Sequence, residues 1–154
     1  MKFVIQRVAH ASVTINSKIE GKIQKGFLVL IGIEDNDTEK IADKMVSKMT
    51  GLRIFEDEAG KMNLSLKQVN GGVLLISQFT LYADCRKGNR PSFIRAGKPE
   101  MASHLYEYII KKCKEQDLQV EQGIFGADMK VELLNDGPVT ILLDSHELTG
   151  TENG

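Results

Sequence analysis

The residues best suited to chemistry follow a short apolar run near the middle of the chain. Val73-Leu74-Leu75-Ile76 comes directly after a Gly71-Gly72 turn signal and predicts a short strand buried on both faces. The polar and aromatic residues Ser77-Gln78-Phe79-Thr80 come next. Hydrogen-bonding side chains are costly to bury without partners. These groups therefore line a cavity, reach the surface, or bond to neighbouring backbone at the end of the strand.

Two of these side chains, Ser77 and Thr80, carry hydroxyls that could act as nucleophiles. Each would need an activating base, because a free hydroxyl is a weak nucleophile. No histidine or carboxylate lies close to them in sequence, although folding could bring one near. The alternative is that both hydroxyls are structural.

Standard catalytic and metal-binding signatures are missing from the chain. It has no Gly-x-Ser-x-Gly elbow, no phosphate-binding glycine loop and no His-Glu-x-x-His helix. Its two cysteines, Cys85 and Cys113, belong to no Cys-x-x-Cys pair and indicate neither a disulfide framework nor a zinc site. We therefore expect no metal and no cofactor.

Two further segments have two interpretations each. The loop Asp84–Lys98 contains Arg86, Lys87, Arg90, Arg95 and Lys98, and is either a solvated basic face or a site that positions phosphates. Asn135-Asp136-Gly137-Pro138 predicts a turn before a last strand. A Gly-Pro bond can also be cis, which needs a structural reason to persist.

Length and composition predict one domain over residues 1–145, followed by a polar, mobile tail over residues 146–154. The formal net charge of −1 argues against a protein that coats nucleic acid through bulk charge, but it leaves room for a local basic site. No apolar run approaches the length of a membrane span, and the N-terminus lacks the layout of a signal peptide. We expect a cytoplasmic, reduced protein without a membrane partner.

The elements that must position these residues are mainly strands. The predicted strands are Lys2–Val8, Ala11–Ile15, Lys18–Ile23, Phe27–Ile33, Leu52–Phe55, Gln119–Gln122, Met129–Leu134 and Val139–Leu143, together with the strand before Ser77. The first four follow one another through short turns and predict an antiparallel meander.

Two amphipathic helices interrupt the strands. Asp35–Thr38 offers capping groups for the first helix, whose apolar residues include Ile41, Met45 and Met49 and whose C′ stop is Gly51. The second helix begins with Pro99 at N1. The predicted fold is α+β, with a mainly antiparallel, barrel-like sheet and two amphipathic helices.

Several ordered motifs together resemble the D-aminoacyl-tRNA deacylase family. They are Met1–Val8, Leu52–Glu58, Ser77-Gln78-Phe79-Thr80-Leu81, Arg90-Pro91-Ser92-Phe93 and Asn135-Asp136-Gly137-Pro138-Val139-Thr140. The similarity runs over nearly the full length, short of the tail after Leu143. No motif residue departs from the family pattern.

The resemblance implies a homodimer that hydrolyses the ester between a D-amino acid and the terminal adenosine of tRNA, and that also removes glycine mischarged onto alanine tRNA. Ser77, Gln78, Phe79 and Thr80 would line the pocket for the adenosine and the aminoacyl group, where we place the catalytic residues. Gly137 and Pro138, joined by a cis bond, would enter the partner subunit's pocket. Arg7 would help to hold them there.

This implied activity fits the lack of a catalytic triad. An aminoacyl ester is already activated, so a placed water and stabilisation of the oxyanion by backbone N–H groups near Phe79 and Thr80 would suffice. The substrate's 2′-hydroxyl would assist proton movement. A rigid Gly137-Pro138 backbone would exclude L side chains while admitting glycine. Three alternatives stay open: a hydrolase with a Thr80 nucleophile, a non-catalytic module that binds RNA ends or nucleotides through the basic loop, and a dimeric structural protein.

Overall fold

A long first strand organises the sheet in the computed structural model, which describes residues 1–149. β1 spans Lys2–Ile15 and pairs antiparallel with β2 (Lys18–Ile23), β3 (Gly26–Gly32) and β8 (Lys130–Asp144). The separate strands predicted over Lys2–Val8 and Ala11–Ile15 are thus one strand. Its alternation of buried and half-buried residues breaks at Arg7 and Val8, which are both buried. Because of that break, the sequence pattern resembles two strands.

The rest of the main sheet is parallel. β6 (Gly72–Ser77) runs parallel to β3, and β7 (Gln119–Gln122) runs parallel to β6. The prediction of a mainly antiparallel sheet did not include these parallel strands: the sheet is mixed, with three antiparallel and two parallel pairings among the strands named here. The reason lies in the connections: a helix separates β3 from β6 and another separates β6 from β7, and parallel strands need crossovers of this kind.

The sheet curls into a nearly closed barrel. Its two ends, β2 and β7, approach so closely that a Cβ added to Gly21 would lie 3.2 Å from the carbonyl oxygen of Gln122. One apolar cluster fills the inside, and a larger one lies between the sheet and the helices. β6 contributes Val73 and Leu75 to the larger cluster and Leu74 and Ile76 to the inner one. The prediction of a strand buried on both faces is confirmed.

The two predicted amphipathic helices are present as α1 (Glu39–Gly51) and α2 (Pro99–Lys114). Thr38 caps α1 by accepting a hydrogen bond from the Ile41 N–H at 3.2 Å, and Pro99 is the first residue of α2. The expected role of Gly51 is wrong, because Gly51 is the last helical residue and Leu52 follows as the cap. Within residues 1–149, none of the helices combines the length and apolar character that crossing a membrane requires.

A small hairpin stands apart from the main sheet. It pairs β4 (Phe55–Glu56) with β5 (Met62–Leu64). The strand predicted over Leu52–Phe55 is therefore misplaced. Leu52 is occupied in capping α1, and the Arg53 Nε donates to the carbonyl oxygen of Asn63 at 2.9 Å.

The C-terminal part of the sheet is one strand where two were predicted. Met129–Leu134 and Val139–Leu143 both fall almost entirely within β8, and both pair with β1 in the same direction. The turn predicted at residues 135–138 is therefore wrong, because the chain does not reverse there. After β8 comes a short helix, α3 (Ser145–Thr149), at the start of the predicted tail, and residues 150–154 lie outside the described part of the chain.

Candidate active site

The polar residues after β6 begin where the sheet ladder ends. The Gln78 N–H donates to the Ile31 carbonyl oxygen at 2.7 Å, and the chain then turns into a short 3₁₀ helix, Phe79–Tyr82. Ser77 and Gln78 are half-buried, whereas Phe79 and Thr80 are exposed. The buried strand β6 thus ends in residues that border an open space in the structure.

That space is a cavity of about 750 Å³. Four segments form its walls: the end of β3, the end of β6, the approach to α2 and the loop before β8. Its lining is mainly apolar, with a few polar side chains. The lining residues are Ile31, Ile33, Ile76–Phe79, Phe93, Ala96–Pro99, Ala102, Phe125–Met129 and Val131. A concave, largely apolar site with few polar groups is the usual form of a small-molecule pocket.

An aromatic pair stands at this cavity. The rings of Phe79 and Phe93 meet edge to face, with centroids 5.0 Å apart and planes inclined by 72°. Both line the cavity, yet Phe79 keeps 57% of its surface exposed and Phe93 keeps 38%. Exposed aromatic surface beside a cavity offers a contact for another flat ring.

The hydroxyl of Thr80 has an amide as its neighbour. The Gln78 Nε2 donates to the Thr80 Oγ1 at 2.5 Å, while Thr80 itself is outside the described lining of the cavity. The one carboxylate in that lining, Asp128, pairs with the Lys130 Nζ at 2.8 Å. Nothing in this arrangement supplies Thr80 with a general base.

Two backbone donors lie next to the same cavity. The internal hydrogen bonds of the 3₁₀ turn begin with the Leu81 N–H, which donates to the Gln78 carbonyl oxygen at 3.3 Å. The N–H groups of Phe79 and Thr80 come before that bond and are not used inside the turn. Among residues 1–149, neither of these two N–H groups donates to a backbone carbonyl.

The other predicted site residues lie at a wide bulge in β8: Gly137 and Pro138 belong to the bulge, and Arg7 faces it from β1. Gln6 faces Thr140 and Val8 faces Asn135, so the single residue Arg7 stands opposite residues 136–139. Asn135 closes the bulge, because its Oδ1 accepts from the Val139 N–H at 2.8 Å and its Nδ2 donates to the Thr140 Oγ1 at 3.1 Å. Gly137 and Pro138 are exposed at its tip.

Arg7 holds this bulge from below. Its side chain is buried and donates from Nε to the Asp136 carbonyl oxygen at 3.0 Å and from Nη1 to the Ile54 carbonyl oxygen at 2.6 Å. The Gly137–Pro138 bond is cis, as the resemblance implies, and Gly137 has φ +135°. Arg7, Gly137 and Pro138 therefore lie close to one another. None of the three is among the described residues that line the cavity of the same chain.

Sequence reasoning missed one wall of the cavity. The loop Phe125–Met129 lines the pocket, although no sequence motif marks it as part of a site. Its only signal in the sequence is an aromatic residue, Phe125, between Gly123 and Gly126. Among residues 1–149, no three His, Cys, Asp or Glu side chains cluster closely enough to hold a metal ion.

Comparisons with known proteins agree over nearly the whole chain. The model of the family described as D-Tyr-tRNA(Tyr) deacylase matches residues 4–144. A D-aminoacyl-tRNA deacylase of Thermosipho melanesiensis is 56% identical, covering 96% of this chain and 99% of its own. A protein of the same name from Flavobacterium psychrophilum is 57% identical, covering 94% of this chain and 97% of its own.

Solved structures give the same fold. The c-Myc DNA Unwinding Element Binding Protein superposes with a TM-score of 0.87 at 41% identity, covering 94% of this chain and 98% of that one. A structure described as a probable eukaryotic D-amino acid tRNA deacylase has a TM-score of 0.81 at 17% identity, over 93% of this chain and 98% of that one, and this likeness concerns the fold alone. Given the match over residues 4–144 and relatives more than half identical, the chain belongs to the D-Tyr-tRNA(Tyr) deacylase family.

Proposed function

We propose that this chain is a tRNA-editing hydrolase that cleaves the ester of D-aminoacyl-tRNA. Water adds to the ester carbonyl, the bond to the ribose oxygen of the terminal adenosine breaks, and a free D-amino acid and a tRNA with its hydroxyl restored are released. The observation that carries the proposal is the cavity at the end of β6, lined by Ser77, Gln78 and Phe79, in a chain more than half identical to D-aminoacyl-tRNA deacylases.

The contents of the cavity suit the terminal aminoacyl-adenosine. The exposed aromatic pair, Phe79 and Phe93, offers an apolar contact for a flat base. The half-buried Ser77 and Gln78 offer hydrogen bonds to ribose and ester. The N–H groups of Phe79 and Thr80 stabilise the oxyanion that forms when water attacks. The 2′-hydroxyl of the substrate assists proton transfer in place of a protein base.

A Thr80 nucleophile is the competing mechanism. It is less well supported, because the neighbour of the Thr80 hydroxyl is the Gln78 amide, which cannot take up a proton as a general base does. A non-catalytic module that binds RNA ends would use the same cavity without turnover. A Thr80 nucleophile would release the same products by way of an acyl-enzyme, whereas a binding module would release nothing from a charged tRNA.

We further propose that the enzyme is a homodimer whose active sites lie at the subunit interface. Gly137 and Pro138 are exposed at the tip of the β8 bulge, and the outer edge of β8 has no strand partner within residues 1–149. β8 also exposes Leu134 and Leu142, by 53% and 70%. Exposed apolar side chains on a strand with an open edge suit contact with a second copy.

In such a dimer, the bulge of one subunit enters the cavity of the other and excludes L side chains, so that D-amino acids and glycine are both accepted. Glycine mischarged onto alanine tRNA is then a second substrate. The deacylase domain spans residues 1–145 and acts in the cytoplasm, with the aminoacylated 3′ end of tRNA as its partner and without a cofactor.

Turnover of matched charged tRNAs tests the proposal. Purified protein is incubated with D-tyrosyl-, L-tyrosyl- and glycyl-tRNA, and the released amino acid is measured. The D-tyrosyl and glycyl esters should be hydrolysed while the L-tyrosyl ester stays largely intact. Equal hydrolysis of both tyrosyl esters would contradict exclusion by the bulge, and binding without hydrolysis of any ester would favour a binding module.

A further inference from the structure

The basic loop predicted between β6 and α2 has a defined shape. Asp84 and Ser92 form an antiparallel bridge, with N–H···O distances of 2.8 and 2.9 Å in the two directions. Residues 84–92, here named the basic hairpin, therefore project from a fixed base. At their tip Gly88 has φ +66°, and a Cβ placed there would meet nothing within 4 Å, so the tip stands in open space.

The hairpin is joined directly to the cavity. Ser92 forms its base, and the next residue, Phe93, lines the cavity and contacts Phe79. The tip is four residues from the base, so it reaches at most ~13 Å beyond it at ~3.3 Å per residue. That reach covers the nucleotides next to one bound in the cavity, and not the distant parts of a tRNA.

After Asp84, the charged residues up to the start of α2 are all basic. Residues 85–98 include five Arg and Lys residues and no Asp or Glu, in a chain whose formal net charge is −1. Arg86 is held by Asp84, with guanidinium-to-carboxylate distances of 2.9 and 2.7 Å. This pairing lowers the pKa of Asp84 to about 2, and its largest cause is the side-chain hydrogen bonding with Arg86. Arg86 therefore serves as the partner of Asp84 at the base of the hairpin.

The two cations at the tip have no such role. Lys87 and Arg90 are both exposed, and within residues 1–149 neither has an ion-pair partner. One unpaired cation is common on a solvated surface. Here two unpaired cations lie on a hairpin closed by the Asp84–Ser92 bridge, beside a cavity that suits a nucleoside. Arg and Lys contacts to phosphate fix the register of a nucleic acid without reading its sequence.

We infer that Lys87 and Arg90 bind the phosphates of the nucleotides that precede the terminal adenosine of the tRNA. This inference rests on the proposed function. The basic hairpin then holds the single-stranded 3′ end by its backbone while the cavity takes the last nucleoside. Because phosphates are common to every tRNA, this binding adds affinity without choosing among tRNAs.

Two substrates that differ in their phosphates test this inference. One is D-tyrosyl-tRNA, and the other is the D-tyrosyl ester of adenosine, which has none. The variant carries Lys87→Ala together with Arg90→Ala. At 0.1 M salt, binding one phosphate of a single strand contributes about fivefold to affinity, so losing two should lower kcat/KM for the tRNA by roughly 25-fold. The value for the adenosine ester should stay at that of the wild type.

The salt dependence of binding gives a second readout. For uncharged tRNA, the slope of log Kd against log salt concentration should be shallower in the variant by about 1.4, or about 0.7 for each phosphate that the variant no longer neutralises. Lys111→Ala with Lys114→Ala is the matched control, because it removes two exposed lysines from the last turn of α2. These lie about 20 Å along the helix from the end that lines the cavity.

Three results would overturn the inference. The two substrates could show the same fall in kcat/KM, the hairpin variant could behave like the control, or its salt slope could be unchanged. Failure of the proposed function would look different. A wild type that hydrolyses neither ester, but binds tRNA with a salt slope that depends on the hairpin, would support phosphate binding and contradict the hydrolase.

Discussion

At the scale of single residues, the hydroxyl of Thr80 and the 2′-hydroxyl of the substrate compete for the chemical role. Because Thr80 contacts an amide and has no activating base, Thr80→Ala should keep its kcat within about tenfold of the wild type. A tRNA ending in 2′-deoxyadenosine should be cleaved on the order of 100-fold more slowly or worse, the usual effect of a missing proton-transfer group. Single-turnover rates of ester cleavage measure both effects. Abolished cleavage in Thr80→Ala with normal tRNA binding, or a trapped acyl-enzyme, would reverse the assignment.

Gly137 carries a different kind of constraint. Its φ of +135° lies where L side chains are rare, and a Cβ there would lie 3.0 Å from the Arg7 Nη2 and 2.8 Å from the Val139 Cγ2. Gly137→Ala should therefore cost of order 1–3 kcal/mol of stability and displace the tip of the bulge. Thermal unfolding and kcat/KM for the D and L esters should both change.

The matched control for this substitution is Gly60→Ala. Gly60 also has positive φ, +76°, but a Cβ there meets nothing within 4 Å, and it lies in the small hairpin between β4 and β5. It should share the backbone strain and keep the selectivity of the wild type. If the two variants have the same ratio of D to L hydrolysis, the bulge has no part in discrimination.

At the scale of elements, the parallel pairing of β3 with β6 depends on two facing glycines, Gly26 and Gly72, whose main chains lie too close for a side chain. A Cβ on Gly26 would lie 1.9 Å from the Gly72 carbonyl oxygen, a clash with main chain that no side-chain rotation relieves. Gly26→Ala should lower the free energy of unfolding by at least about 3 kcal/mol, measured by urea denaturation. Gly51→Ala, where a Cβ meets nothing within 4 Å at the end of α1, should be neutral or stabilising by up to about 1 kcal/mol. Equal midpoints for the two would contradict the packing described.

What the sequence predicts at this scale is what local chemistry decides. The capping run Asp35–Thr38 and Pro99 mark the starts of α1 and α2 correctly, because caps act within one turn. For Ser77 and Gln78 the cost of burying polar groups left a cavity, the surface or a backbone contact open, and the structure places both at the cavity. The same local logic misreads residues 135–138 as a turn, because pairing of both halves of β8 with β1 is a long-range effect.

The parallel direction of β6 and the place of Phe125–Met129 in the cavity wall could not be predicted from the sequence, for the same reason. Both depend on which distant segments pack together, and neither has a periodic signal of its own. Only the resemblance to a family predicts a functional role for residues 137 and 138. The physical basis of the bulge, Arg7 placed opposite four residues of β8, becomes visible only in the paired strands.

At the scale of the whole molecule, the reactivity of the two cysteine thiols measures whether the core excludes solvent and reagents. Cys113 is fully buried in the larger apolar cluster, and burial raises the pKa of its thiol to about 12, whereas Cys85 is exposed. At neutral pH the native protein should react with one equivalent of a thiol reagent, and with two after denaturation. Cys85→Ser should abolish the native reaction. Fast reaction of both thiols in the native protein would contradict the burial of Cys113.

The bulge of one subunit should complete the cavity of another, and complementation between two inactive variants tests this directly. Ala96 lines the cavity, so Ala96→Trp should block it, and Gly137→Leu should disable the bulge. Each variant must first be shown to be folded, dimeric and inactive by itself. The two are then co-expressed with different tags, and the mixed dimers are purified.

A mixed dimer has one site made of an intact cavity and an intact bulge, provided that the two come from different chains. The measurement is hydrolysis of D-tyrosyl-tRNA by these mixed dimers. An active site shared between subunits predicts recovery of about half the wild-type activity per dimer, with the L ester still spared. Mixed dimers as inactive as either parent would show that cavity and bulge act within one chain, and would contradict the shared site.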